Sequence, residues 1–256
     1  MHPPQVRAAA LALVDQGVND CEISRRLGIP RGTIRDWRRP TYVRRAVTER
    51  CPRCWRAAKP MRFTDNDYAE LLATYLGDGC ISMGARTARL RIALDTKYPW
   101  IIADTTALLS RCFPTNPVGK VIAHGGTMVF VSLYCSHLPC LLPQHGVGMK
   151  HQRPIALESW QQAIVDAAPW TFIRGCIRTD GCAFINRTNV HRPEPYEYLS
   201  YQFSNMSTDI VELFLAQCDR VGVFTRVNRN DRGLWAVRIN RRDSVALMQE
   251  HVGLKS

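Results

Sequence analysis

Two aspartates, Asp78 and Asp180, stand in matching surroundings far apart in the chain: Leu71 to Gly79 reads LLATYLGDG and Ile173 to Gly181 reads IRGCIRTDG. Each stretch has the apolar and small residues of a packed helix and stops at Asp-Gly. The glycine there predicts a helix end in the left-handed conformation. A carboxylate in that position faces the negative end of the helix dipole, which disfavours it by roughly 0.3–1 kcal/mol; a bound cation reverses the sign. Small residues four apart, Ala73 and Gly77 in one stretch and Gly175 and Thr179 in the other, allow two helix backbones to cross closely. Such a crossing sets Asp78 beside Asp180. Two neighbouring carboxylates repel unless one is protonated or a hard divalent ion takes both as oxygen ligands. The pair is thus placed to share a proton or to bind a divalent cation.

The elements around the two stretches recur in the same order. After Asp78 the pattern predicts strands at 80–83 and 88–94, a helix at 100–112, strands at 118–123 and 127–134, and a helix at 155–168. After Asp180 it predicts strands at 183–188 and 196–204, a helix at 208–221, strands at 224–228 and 234–239, and a helix at 241–251. The paired stretches resemble the two LAGLIDADG motifs of single-chain homing endonucleases, over roughly residues 62 to 252. That resemblance implies an α+β fold of two αββαββα half-domains, 62–168 and 169–256, related by a pseudo-two-fold axis, with two sheets laid over double-stranded DNA. It also implies that Asp78 and Asp180 are the catalytic, metal-binding carboxylates, and that a basic or polar side chain assists from the periphery, for which Lys120 and Arg238 are candidates.

Arginines are placed to serve such a surface. Arg89 and Arg91 share one face of a strand, Arg86 lies in the turn before it, and Arg226, Arg229, Arg238 and Arg242 occur in the second half. The connector Leu142 to Arg153 (LPQHGVGMKHQR) adds Lys150 and Arg153 as phosphate contacts, with a solvated link as the plain alternative.

The N-terminal residues 1–39 predict three short helices. In DCEISRRLGIPRGTIRDWRR, Asn19 or Asp20 caps a helix, Gly28 makes a turn, and a second helix runs from Pro30 or Arg31 through Trp37. This resembles the helix-turn-helix of resolvases, transposases and related regulators. The resemblance implies that Arg31, Thr33 and Arg35 face base edges while Arg25, Arg26, Arg38 and Arg39 grip phosphates. Residues 1–60 hold 13 Lys and Arg against 5 Asp and Glu, a surplus of 8 out of the chain's 12, which marks this end as the electrostatic anchor for a polyanion.

Residues 40–61 read as a basic linker that contains Cys51 and Cys54. A Cys-x2-Cys pair is half of a zinc site, and free thiols are the alternative. The ten cysteines otherwise suit a reducing compartment, no apolar run reaches transmembrane length, and the N-terminus does not read as a signal peptide, so the expectation is a cytoplasmic protein without a membrane partner. Two readings share sequence-specific DNA binding: a Mg²⁺-dependent endonuclease, and a non-catalytic regulator on the same scaffold. A monomer would suffice for an asymmetric site; one helix-turn-helix per chain favours a homodimer at a palindrome.

Overall fold

The computed structural model describes residues 2–38, 63–84, 87–188 and 196–255. The chain divides into two compact units, Met1–Thr48 and Glu49–Ser256.

The first unit holds α1 (Pro4–Asp15), α2 (Asp20–Leu27) and α3 (Arg31–Arg38). Ala10, Ile23, Ile29, Ile34 and Trp37 are buried at its centre, one or two from each helix and one from the turn. Of the two candidate caps Asn19 is the one used: its side chain accepts the Glu22 amide at 3.0 Å. The Ser24 hydroxyl donates to the Ile29 carbonyl at 2.6 Å and ties the turn to α2. With so few buried side chains, at about 1.5–3 kcal/mol each, Ile34 and Trp37 are critical to the unit.

The second unit repeats one plan twice. Its first half runs α4 (Asp65–Asp78), β1 (Gly79–Met83), β2 (Ala88–Asp95), α5 (Pro99–Cys112), β3 (Gly119–Ala123), β4 (Met128–Tyr134) and the single turn α6 (Leu138–Leu141). Helix α7 (Ser159–Ala167) leads to the second half: α8 (Pro169–Asp180), β5 (Gly181–Thr188), β6 (Tyr196–Asn205), α9 (Thr208–Arg220), β7 (Arg226–Arg229), β8 (Trp235–Ile239) and α10 (Arg242–His251). The sheets are antiparallel with orders β1-β2-β4-β3 and β5-β6-β8-β7. Their shared order carries the duplication that the motifs alone suggest.

Alternation fixes which face is covered. In β2, Ala88, Leu90, Ile92 and Leu94 are buried, so the intervening Arg89 and Arg91 lie on the opposite face. Both halves feed one apolar core, with Tyr68, Leu72 and Leu76 from α4, Phe172, Ile173 and Ile177 from α8, and Tyr201, Phe203 and Val237 from the second sheet.

The single turn α6 stands where the sequence pattern predicts no helix, and one predicted helix is shorter than expected. The helix expected from Ile155 begins only at Ser159, because the Ile155 amide donates instead to the Asp209 carboxylate at 2.6 Å and the Glu158 amide is taken by the Gln161 side chain at 3.0 Å.

Candidate active site

Helix α4 begins at a capping box, in which the Asp67 amide donates to the Thr64 hydroxyl at 3.1 Å and the Thr64 amide to the Asp67 carboxylate at 3.3 Å. It ends at Asp78; α8 ends at Asp180. The two helices cross with almost no space between them. A Cβ on Gly175 would stand 2.6 Å from the Ala73 Cβ, and one on Gly77 would collide with the Thr179 hydroxyl. Arg178 fastens the crossing from the side: its guanidinium is 2.7 Å from Glu70 on α4 and 3.3 Å from Asp104 on α5, and lies over the Trp100 ring at 5.1 Å.

The terminal glycines hold their positions for a different reason from the one their sequence suggests. Gly79 (φ −88°) and Gly181 (φ −115°) are extended rather than left-handed. Each lies against the last helical turn, where a Cβ would meet the Tyr75 Cα at 2.5 Å or the Ile177 Cα at 2.6 Å. Close passage of the outgoing strand excludes any side chain. The strand therefore leaves at once and each aspartate stays at the helix tip.

Burial pushes the Asp78 carboxyl up to about 6, and the neighbouring charge of Asp180 adds to the rise. Burial raises Asp180 as well, against a hydrogen bond from the Asn205 side-chain amide to its Oδ2 at 2.8 Å. Two lysines offset the negative charge. The Lys150 ammonium donates to the Gly77 carbonyl at 2.9 Å; the Lys255 ammonium donates to the Thr179 carbonyl at 2.8 Å and the Gly181 carbonyl at 3.2 Å. Each thus satisfies an orphan carbonyl at the negative end of a motif helix. Burial pulls Lys150 down to about 8 and lowers Lys255, while Asp78 and Asp180 draw both back up.

Two clefts open beside this centre. One, about 360 Å³, is lined by Gly77, Lys150, His151, Asp180 and Asn205. The other, about 290 Å³, is lined by Asp78, Asp95, Tyr98, Thr179 and Lys255. Each cleft holds one motif aspartate and the lysine that caps the other motif helix, and the second adds Asp95.

The remaining sequence candidates divide. Arg89 and Arg91 share the sheet face away from the core; Arg89 reaches the Ser132 hydroxyl at 3.1 Å and lies over Tyr134, and Arg91 lies over Phe130. Arg238 is exposed on the second sheet, 3.2 Å from the Gln202 side chain. Lys120 pairs with the buried Val131 on an edge strand, which puts it on the helix side of its sheet. Arg153 is occupied within its own loop, donating to the carbonyls of Gln144 at 3.1 Å and Gly148 at 2.7 Å, so it braces the connector. In the first unit Arg31 and Arg35 are exposed and Thr33 half-buried on α3. Arg25 and Arg26 both pair with Glu22, and Arg38 lies 2.8 Å from Asp20. Arg39, Arg86, Cys51 and Cys54 lie outside the described residues.

Lys255 and Asn205 carry no motif that pointed to them, yet one signal was present. Val147-Gly148-Met149-Lys150 and Val252-Gly253-Leu254-Lys255 are near-copies, one at the end of each half. Their glycines have φ +82° and +77°, the left-handed turn that aims each lysine back at the helix tips.

The donor set fits a hard divalent ion. Carboxylate and carbonyl oxygens surround the centre, and among the described residues no group of three or more His, Cys, Asp or Glu side chains could hold a metal. A Mg²⁺-type ion, which keeps several waters and accepts one or two carboxylates plus phosphate, suits two aspartates better than zinc does.

An α+β pair of half-domains, with two four-stranded sheets and aspartate-tipped helices crossing between them, is the fold of the LAGLIDADG homing endonucleases. The homing endonuclease I-DmoI, solved as mesophilic variants, superposes with a TM-score of 0.50 at 13% identity over 73% of this chain and 96% of its own. I-DmoI in complex with DNA and Mn gives 0.49 at 13% over 75% and 99%, and the N-terminal LAGLIDADG domain of DUF199/WhiA gives 0.47 at 12% over 77% and 87%. Residues 2–39 match the homeodomain-like domain family, so the chain joins a DNA-binding helix-turn-helix to that fold. No curated protein matches the sequence. Among the described residues no helix is long and apolar enough to cross a membrane.

Proposed function

We propose that this chain binds a specific duplex DNA site through its helix-turn-helix and the arginine-bearing faces of both sheets, and cuts one phosphodiester bond in each strand there. The observation that carries the reading is the carboxylate pair. Two half-buried aspartates stand at abutting helix ends, against both the helix dipole and their own repulsion, an arrangement unfavourable for stability and suited to cation-assisted chemistry.

Asp78 and Asp180 would hold the divalent ions, with Asn205 fixing the rotamer of Asp180. When bound, the ions supply charge neutralisation at the phosphate and activation of water for in-line attack. Lys150 and Lys255 lie within the two clefts and can donate to phosphate oxygens as negative charge builds there. A single chain presents both centres, so a monomer suffices for an asymmetric site.

The test recovers the preferred duplex from a random pool in chelator, incubates it with Mg²⁺ and resolves both strands on a denaturing gel. Cleavage by the wild type and none by Asp78→Asn or Asp180→Asn is the expected result. Cleavage that survives both substitutions refutes the assignment. A second reading, a regulator that binds without cutting, draws on the lysines, which balance the aspartates with no metal at all. Tight binding in chelator and intact strands in Mg²⁺ would establish it.

A further inference from the structure

The two lysines bear on when the centre takes up metal. Their stretches are repeated in sequence, their glycines share an unusual turn, and their ammonium groups grip the same kind of atom, the carbonyl at the tip of each motif helix or next to it. With both lysines protonated and both aspartates ionised, the four side chains sum to zero charge. A divalent ion approaching this centre therefore meets two cations already in place, and the helix-end carbonyls it could use as hard donors are hydrogen-bonded to them.

We infer that Lys150 and Lys255 are built-in counter-ions that keep divalent metal out of the DNA-free centre, and that DNA phosphates entering the two clefts draw the lysines away and open the aspartates to metal. The inference rests on the reading of Asp78 and Asp180 as metal ligands. A lysine suits the task because its ammonium is a compact charge on a flexible four-carbon stem, able to move from a carbonyl to a phosphate without backbone change. Phosphate is also the stronger partner, since it adds a full opposite charge to a bond that the ammonium alone already assists. Exchange of partners leaves two uncompensated carboxylates, which then attract the ion. Metal and DNA binding become coupled, each raising the affinity for the other by the same factor.

The experiment follows free Mn²⁺ by its electron paramagnetic resonance signal. Full-length wild type, Lys150→Met, Lys255→Met and the double variant are titrated alone and with the duplex recovered in chelator. An Asp78→Asn/Asp180→Asn chain supplies the blank for Mn²⁺ on phosphates, and circular dichroism melts show that each variant folds. The DNA-free double variant should bind Mn²⁺ at least tenfold more tightly than DNA-free wild type, about 1.4 kcal/mol. Duplex should restore tight binding to the wild type and add little to the double variant. Should the double variant not fold, the single variants carry the comparison, each showing a gain over wild type. Equal Mn²⁺ affinity in DNA-free wild type and variants, or wild-type affinity unchanged by duplex, overturns the inference alone. No binding above the aspartate-free blank in any protein overturns the metal reading with it.

Discussion

The helix crossing makes a quantitative prediction at Gly175. An alanine there would put its methyl 2.6 Å from that of Ala73 and 3.5 Å from the Glu70 carbonyl oxygen. Carbon atoms prefer about 3.5–4.0 Å, so α4 and α8 would have to part by about 1 Å along a packed seam, and overpacking of that kind costs about 1–3 kcal/mol. Against this, Gly175→Ala gains about 1 kcal/mol of helix propensity. Ala73→Gly loses about the same propensity and about 0.8 kcal/mol for one buried carbon. Combined, the two substitutions move one methyl from α4 to α8, remove the clash and refill the space. The double variant should therefore lie near the wild type, more stable than the sum of the singles by about 2–4 kcal/mol, well above the roughly 0.5 kcal/mol within which independent sites add. In thermal unfolding followed by circular dichroism, a coupling of 2 kcal/mol appears as a midpoint about 4–8 °C above the additive expectation for a unit of this size. Additive singles would mean that Ala73 and Gly175 do not touch, and the juxtaposition of the two aspartates would lose its basis.

Three further outcomes follow from the same geometry. The Asp78 carboxyl lies at about 6 against its ordinary 3.8, so the folded chain holds this proton more tightly than the unfolded one; the penalty for ionising it is absent below its ordinary value, builds as pH rises between the two and is full above about 6. Asp78→Asn should accordingly raise stability to urea by up to about 3 kcal/mol near pH 7.5, the gain vanishing near pH 4. Asn205→Ala removes the hydrogen bond that favours ionised Asp180, and a carboxyl ¹³C titration should find that group's midpoint moved upward. Loss of Arg91 or Arg89 should flatten the dependence of log affinity on log salt by roughly 0.9 for each phosphate contact removed, with little change in which sequence is preferred.

Much of the architecture is legible in the residues because it rests on local rules. Period-two alternation around Arg89 and Arg91, the cap at Asn19 and the small residues at Ala73, Gly77, Gly175 and Thr179 all report directly on backbone geometry. The positions of Asp78 and Asp180 are legible for the same reason, since a carboxylate at the C-terminal end of a helix runs against the helix dipole. What surrounds them is not local. Lys150 stands in a polar connector that reads as a phosphate contact, and only the fold turns it inward to the Gly77 carbonyl. Arg153, three residues on, has the same composition around it and folds back on its own loop. Lys255 reaches Thr179 across the whole second half, a distance over which periodicity is silent; only comparison of Val-Gly-Met-Lys with Val-Gly-Leu-Lys would have exposed it. The extended glycines teach a similar lesson: Gly at a helix end has two physical causes, dihedral freedom and close passage, and sequence does not separate them.

The doubled plan has a consequence for how such a chain can change. At the helix crossing Gly77 abuts Thr179 and Gly175 abuts Ala73, so a larger residue on one motif helix requires a smaller one across the seam. The outer strands carry no such obligation. The face bearing Arg91, Phe130 and Tyr134 already differs from the one bearing Asn186, Gln202 and Arg238. One half of the DNA-facing surface can thus be rewritten without disturbing the other, around a middle whose packing constrains both halves at once.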